Sequence, residues 1–377
     1  MSPPLRIAIA TGGTAGHAVP ALAVGDELRA RGHDVMFIGG DRAEAELVPA
    51  AGFEFHQLRL QGLDRKNPLK ALRALGLAAR GVVQARKLLR AHKIDVVMAG
   101  GGYVAGPVGV AAFLTRTPVV ATEADAHLGI TNRLLAPFAK RVCLAFVLPG
   151  RDGPKYLVTG RPIAPRRVAI AAAEARAQFG LSADGVCLLV FGGSLGARTI
   201  NRATLDAFSS GVPDGMSVLH LAGKGDFAAA TQLLESSPEL VLAVSEGRYR
   251  LLDFTNDFDT ALAAADFAVC RAGGSIFELA ASGLPAVLVP YPHATADHQA
   301  KNAQWYVDGG AGVVVPDAQL GGTRLRELCD EFLGDPDRLD QYSQAAMRLA
   351  RPDAAGRIAD EVVAAAGAAP PAQKNGE

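Results

Sequence analysis

Residues suited to chemistry cluster in this chain where short apolar runs end in glycine-rich turns. Ile7-Ala8-Ile9-Ala10 leads into Gly12-Gly13-Thr14-Ala15-Gly16-His17, and Leu188-Leu189-Val190 leads into Gly192-Gly193-Ser194-Leu195-Gly196. Glycine lets a backbone come close to a ligand, and the free N–H groups of a helix start favour negative charge, so these turns point to a phosphate-bearing ligand. Ala99-Gly100-Gly101-Gly102-Tyr103 and Cys270-Arg271-Ala272-Gly273-Gly274-Ser275 are built in the same way. His17 closes the first turn, and an imidazole with its reference pKa near ~6.5 suits proton abstraction at neutral pH. Asp125 is the rival base, with Glu123 two residues upstream as a second carboxylate able to strengthen it. Glu278 follows Ser275 at the S-x-x-E spacing of a capping box, so it is either a helix cap or a ligand group. Arg271 suits a diphosphate or an ion pair, and Tyr103 a ligand or simple packing. His298, Gln299 and Asn302 recur at the three- and four-residue spacing of one helical face.

The elements that must position these residues follow from the apolar pattern. Runs near 5–10, 34–39, 94–99, 118–121 and 141–146 alternate with helical stretches, and a second series follows near 186–191, 216–221, 266–270, 286–289 and 311–315. This β–α rhythm predicts an α/β chain with two doubly wound, Rossmann-like parallel sheets facing a cleft. The interruption at Thr159-Gly160-Arg161-Pro162-Ile163-Ala164-Pro165 reads as the linker. The expected domains are 1–160 and 161–352, with a helix near 353–366 returning to the first and a disordered tail over 367–377. Ligands of open α/β sheets lie beyond the carboxyl ends of the strands, where the glycine turns fall.

Composition narrows the class. A length of 377 residues with 49% hydrophobic content supports two cores, and a formal net charge of zero argues against nucleic acid as a partner. Cys143, Cys187, Cys270 and Cys329 stand singly in apolar surroundings, predicting buried free thiols rather than disulfides or a metal site. No charged-then-apolar leader precedes Leu5 and no apolar run reaches the ~20 residues of a membrane span, so a cytoplasmic location is expected.

Taken together, G-G-T-x-G-H, G-G-G-Y, G-G-S-x-G-A, R-A-G-G-S and P-Y-P-H-A-T-A-D-H-Q, in that order over residues 5 to about 350, resemble the MurG family. These are GT-B glycosyltransferases of peptidoglycan synthesis that convert lipid I into lipid II. The resemblance implies inverting transfer of N-acetylglucosamine from UDP-N-acetylglucosamine to the muramyl 4-hydroxyl of lipid I. His17, Asp125 and Glu123 then become the catalytic candidates. Thr14, Gly16, Arg161, Gly193, Ser194, Gly196, Arg271, Gly274, Glu278, His298, Gln299 and Asn302 become donor-binding candidates, with Glu278 on the ribose diol. Gly13, Gly101, Gly102, Tyr103 and Asp125 become acceptor-binding candidates. No D-x-D pair ends a strand, so no cofactor is required; a divalent cation is compatible, with no site identified. The chain departs from the family at Thr122-Glu123-Ala124-Asp125, where H-E-Q-N is usual, and at Leu195, where glutamine is usual. It departs also at Gly160-Arg161-Pro162-Ile163-Ala164, where G-N-P-V-R is common, and the loop from Arg271 to Glu278 is one residue short.

Residues 61–93 hold nine Lys or Arg (Arg65, Lys66, Lys70, Arg73, Arg80, Arg86, Lys87, Arg90, Lys93) against one acid, Asp64, interleaved with leucine and valine. Such a segment is either a solvated helix or an interfacial one that meets the anionic inner leaflet of a membrane. The expected location is therefore peripheral, on the cytoplasmic face. Cell-wall or division complexes are further candidate partners of such a family member. Two other readings fit the residues: a GT-B enzyme with another acceptor or a UDP-N-acetylglucosamine 2-epimerase, and a catalytically silent sugar-nucleotide-binding subunit at the membrane.

Overall fold

The computed structural model describes residues 3–62, 68–164, 170–193 and 196–367, the side chains of 68–72 and 295 excepted. The first sheet comprises β1 (Arg6–Ala10), β2 (Asp34–Gly39), β3 (Glu54–Gln57), β4 (Val96–Ala99), β5 (Val119–Glu123), β6 (Arg141–Leu144) and β7 (Tyr156–Val158). The second comprises β8 (Val186–Phe191), β9 (Met216–Leu221), β10 (Tyr249–Leu252), β11 (Phe267–Cys270), β12 (Ala286–Leu288) and β13 (Gly312–Val314). Their spatial orders are β3-β2-β1-β4-β5-β6-β7 and β10-β9-β8-β11-β12-β13. Every pairing is parallel, with Ile7 opposite both Val35 and Val96 in the first sheet and Leu188 opposite Val218 and Phe267 in the second. In both sheets the order reverses beside the first strand of the unit, the switch point where α/β folds hold ligands.

Helices on both faces explain why the central strands are apolar at consecutive positions rather than alternate ones. Ile7, Ile9, Val96, Met98 and Val120 are buried in one core, and Leu188, Val190, Val218, Phe267 and Val269 in the other. The helix Ala15–Ala30 buries Ala18, Ala21, Val24 and Leu28, a spacing of three and four that lays one stripe on the sheet. The four cysteines are buried free thiols, and burial pushes the Cys143 thiol up to about 12.

The chain divides into two compact units, 1–165 with 351–377, and 166–350. The division thus falls after 165 rather than after Gly160, and Arg161 belongs to the first unit. The returning helix, Ala354–Ala365, buries Ile358, Ala359, Val362 and Val363 in the first core. It is fastened by ion pairs from Arg31 to Asp360 at 2.6 Å and from Arg141 to Glu361 at 2.9 Å. The tail expected beyond Gly367 lies outside the described residues.

Candidate active site

At the carboxyl ends of β1, β4 and β5 the first unit assembles one polar constellation. The turn after β1 is held by Glu44, a fully buried carboxylate. Its Oε2 accepts from Gly13 N at 3.0 Å and its Oε1 from Gly40 N at 2.9 Å, so one side chain joins the ends of β1 and β2. Thr14 stands before the helix Ala15–Ala30, and its carbonyl accepts from the N–H of His17 at 3.0 Å. The turn after β4 presses against the same imidazole, since a Cβ on Gly101 would lie 2.9 Å from His17 Cδ2. Gly102 sits at φ 75°, and a Cβ there would overlap the Gly12 carbonyl oxygen. Only glycine therefore lets the two turns nest and fix His17 between them.

Glu123 ends β5 with its carboxylate nearly buried, and burial raises its pKa. It accepts from Gly129 N at 2.7 Å, Asn132 Nδ2 at 3.0 Å and Asp125 N at 3.3 Å. These bonds make it the anchor of the loop that presents Asp125, a positioning role rather than one of open attack. His17, Thr122 and Glu123 line a common cavity of about 20 Å³. Arg161, a donor-binding candidate, donates to Gly16 O at 2.6 Å and Ala124 O at 3.2 Å. Its guanidinium thereby ties the His17 turn to the Asp125 loop. Tyr103 is half-buried, its hydroxyl donates to Asp41 at 3.3 Å, and burial with the nearby Glu44 and Asp41 charges pushes it up to about 12. It leans toward the end of β2, at the margin of the constellation.

The second unit repeats the plan at the ends of β8, β11 and β12. Gly196 N donates to Gly193 O at 2.9 Å, and Gly196 sits at φ 88° where a Cβ would overlap the Ala222 carbonyl oxygen. Ser194 and Leu195 lie outside the described residues. The helix Arg198–Ala207 follows, and its Asn201 joins a buried network. Asn201 Nδ2 donates to Ala222 O at 2.9 Å, Asn201 Oδ1 lies 3.0 Å from His220 Nε2, and His220 Nδ1 lies 2.7 Å from the Tyr249 hydroxyl. Complete burial lowers the His220 pKa to about 3, so the ring is neutral and the network carries no charge there.

Arg271 sits at the end of β11, donates to the Val289 and Pro290 carbonyls at 3.1 and 3.3 Å, and pairs with Asp317. Asp317 also accepts from Thr199 at 3.1 Å. Arg271 thus braces the turn after β12 against the helix that follows β8. Asn302, a donor-binding candidate, is buried, and its Nδ2 donates to Ala272 O at 3.1 Å in the glycine loop. Gln299 Oε1 accepts from Tyr291 N at 2.9 Å. Ser275 makes no side-chain cap hydrogen bond, so its half of the capping box is not formed. Glu278 is half-exposed on the helix Ile276–Ala281, and Gly274 O accepts from Phe277 N at 3.2 Å. His298 opens the helix His298–Asp308, entered through Ala296 and Asp297 at φ 53° and 55°. Two successive non-glycine residues in the left-handed region are backbone strain of the kind found at binding sites.

Sequence reasoning missed Glu44, Asn132 and Asn201, all buried polar residues that hold the turns. Each has polar or charged neighbours in sequence, such as Arg42 and Glu46, Thr131 and Arg133, or Thr199 and Arg202, so nothing local sets it apart.

Two doubly wound parallel sheets with glycine turns at corresponding strand ends define the GT-B class of glycosyltransferases. The profile of the glycosyltransferase family 28 N-terminal domain matches residues 7–144, and that of its C-terminal domain matches 187–358. The UDP-N-acetylglucosamine–N-acetylmuramyl-(pentapeptide) pyrophosphoryl-undecaprenol N-acetylglucosamine transferase of Aeromonas hydrophila is 40% identical over 94% of this chain and 95% of its own. The enzyme of the same name from Halothermothrix orenii is 35% identical over 92% and 95%. The crystal structure of Acinetobacter baumannii MurG superposes with a TM-score of 0.76 at 28% identity, covering 95% of this chain and 99% of that one. The chain belongs to glycosyltransferase family 28, in its MurG branch.

Proposed function

We propose that this chain is the N-acetylglucosaminyltransferase that makes lipid II, transferring the sugar from UDP-N-acetylglucosamine to the muramyl 4-hydroxyl of undecaprenyl-linked lipid I with inversion. The observation that carries this reading is the 40% identity to a transferase of that name over nearly the whole of both chains. An inverting transfer needs an oriented hydroxyl, a base and stabilisation of departing UDP. The nested turns around His17 supply a positioned imidazole, with Asp125 as the alternative base. Gly13, Gly101 and Gly102 offer backbone close to the acceptor, and the turn from Gly193 to Gly196 offers fixed dipoles for the donor phosphates. Glu278 faces the ribose diol, and His298 and Gln299 address the sugar and phosphates. Arg161, Arg271 and Asn302 serve the site by holding its loops. Incubation of radiolabelled UDP-N-acetylglucosamine with lipid I tests the reading. A labelled lipid-linked disaccharide that requires lipid I supports it, whereas UDP release without disaccharide overturns it.

The reaction places the enzyme on the cytoplasmic face of the membrane, as a peripheral protein. No helix among the described residues is long and apolar enough to cross a bilayer. The first unit exposes Phe113, Leu114, Ile130, Leu134, Phe138 and Val147, with the Phe113 and Phe138 rings 4.9 Å apart. Arg116, Arg133 and Lys140 are interleaved with them in sequence, and the cation-rich helix Pro68–Ala91 packs beside Gly102–Thr115. Apolar side chains among cations suit an anionic lipid surface. Arg65 and Lys66 lie outside the described residues, as does the Lys70 side chain. The same peripheral position would give the enzyme access to cell-wall and division complexes.

A further inference from the structure

The opposite end of the first sheet carries a cluster that the transfer does not use. Glu54 and His56 are two residues apart on β3, so the period of a strand sets both side chains on one face of an edge strand. The helix Pro68–Ala91 runs back to the starts of the strands, and His92 follows it directly. Lys93, at φ 50°, then turns the chain toward β4. Glu54 Oε1 lies 2.8 Å from His56 Nε2 and 3.9 Å from His92 Nδ1. The two imidazole centroids are 4.8 Å apart. One nitrogen of each ring and one carboxylate oxygen all lie within 4.8 Å of one another. A pocket of about 450 Å³, lined by Arg6, Asp34, Glu54 and His92 among others, opens beside them.

We propose that Glu54, His56 and His92 bind one divalent transition-metal ion of the zinc type, with water completing the shell. Two imidazoles converging on one carboxylate form the nitrogen-rich donor set that Zn²⁺, Co²⁺ and Ni²⁺ prefer and that Mg²⁺ does not. Bonds of ~2.1 Å in a tetrahedron set ligand atoms about 3.4 Å apart. The two carboxylate-to-imidazole distances lie on either side of that value, so closing the shell around the Glu54 oxygen takes sub-ångström movements there. Glu54 is exposed and both histidines are half-buried, which leaves an entry path. The ion would clip β3 to the end of the helix, joining the two ends of the cation-rich segment between them. Because only the folded chain brings the three together, binding stabilises the fold. The five residues of β1 run about 13 Å from this end of the sheet to the His17 turn. The ion is therefore a structural clip and no participant in transfer.

The test uses the full chain stripped with EDTA, then equilibrated with Zn²⁺ and assayed for bound metal, with Co²⁺ absorption reporting geometry. The wild type should retain one more zinc per chain than either His92→Gln or Glu54→Gln. Affinity should fall at least about 100-fold in each, because loss of a direct ligand exceeds the 10–100-fold effect of an outer-shell partner. Zinc should raise the melting temperature of the wild type and not of the variants, while all three turn over donor equally. Both replaced side chains are at least partly exposed, and circular dichroism confirms that each variant is folded. Equal zinc content in the wild type and both variants overturns the proposal, as does a Co²⁺ spectrum unchanged from that of the aqueous ion.

Discussion

The imidazole of His17 is held by two turns that only glycine could nest, and that rigidity gives it a defined aim. His17→Ala is expected to lower turnover by ~10²–10⁴ with UDP affinity nearly unchanged, the range for a lost general base. Single-turnover rates and UDP titration check it, and a larger loss in Asp125→Asn would transfer the role. Glu44 acts one step further back. Removing its carboxylate leaves the N–H groups of the buried Gly40 and the partly buried Gly13 without their acceptor, a cost of up to about 1–3 kcal/mol each. Glu44→Ala should lose about 2–5 kcal/mol in urea unfolding and lower kcat, while Glu44→Gln, which keeps one acceptor, recovers part of both. Lower stability with an unchanged kcat would reduce Glu44 to scaffolding. In the second unit, Glu278→Ala should raise the donor KM much more than it lowers stability if the carboxylate serves the ribose rather than the helix start. A fall in stability with an unchanged KM would count against ribose binding.

Among the elements, the Asn201–His220–Tyr249 network joins β9, β10 and the helix that follows the donor turn. His220 binds its proton near pH 3 when folded and near ~6.5 when unfolded, so the unfolded chain holds more protons between those values. The contribution is complete above about pH 6.5 and declines as pH falls toward 3, by about 1.4 kcal/mol per unit. Urea unfolding at stepped pH should show that slope in the wild type and a shallower one in His220→Gln; equal slopes would exclude it. Ten strands were legible as apolar runs: nine are interior strands, and the tenth, β13, is an edge strand whose Gly312-Val313-Val314 is apolar all the same. The other three, β3, β7 and β10, are edge strands, short and half-exposed, with no such run to read. The glycine turns were legible for a related reason, since turn chemistry is local. Arg161, Arg271 and Asn302 carried the right type at the right place, yet their partners are distant in sequence, so their loop-holding roles emerged only from the fold.

At the scale of the molecule, a neutral protein concentrates its cations on the first unit, where exposed apolar side chains lie among them. Each Lys or Arg near an anionic surface contributes ~1 kcal/mol, fading within a Debye length of ~8 Å. Replacing Arg65, Lys66, Lys70 and Arg73 with glutamine should reduce sedimentation with anionic vesicles, spare UDP binding and reproduce the effect of high salt. Binding indifferent to lipid charge would place the membrane contact elsewhere. The helix Ala354–Ala365 raises a separate matter of timing. On a translating ribosome most of the first unit emerges long before the residues that complete it, because Ile358, Val362 and Val363 are made only after the whole second unit. Each is worth about 1.5–3 kcal/mol when buried, a large share of an ordinary domain's margin. The second unit, continuous in sequence, can finish first, while the first waits with an open flank for its last helix. A chain ended at residue 350 and released from the ribosome should therefore present a protease-resistant second unit and a labile first one, although the first was synthesised earlier.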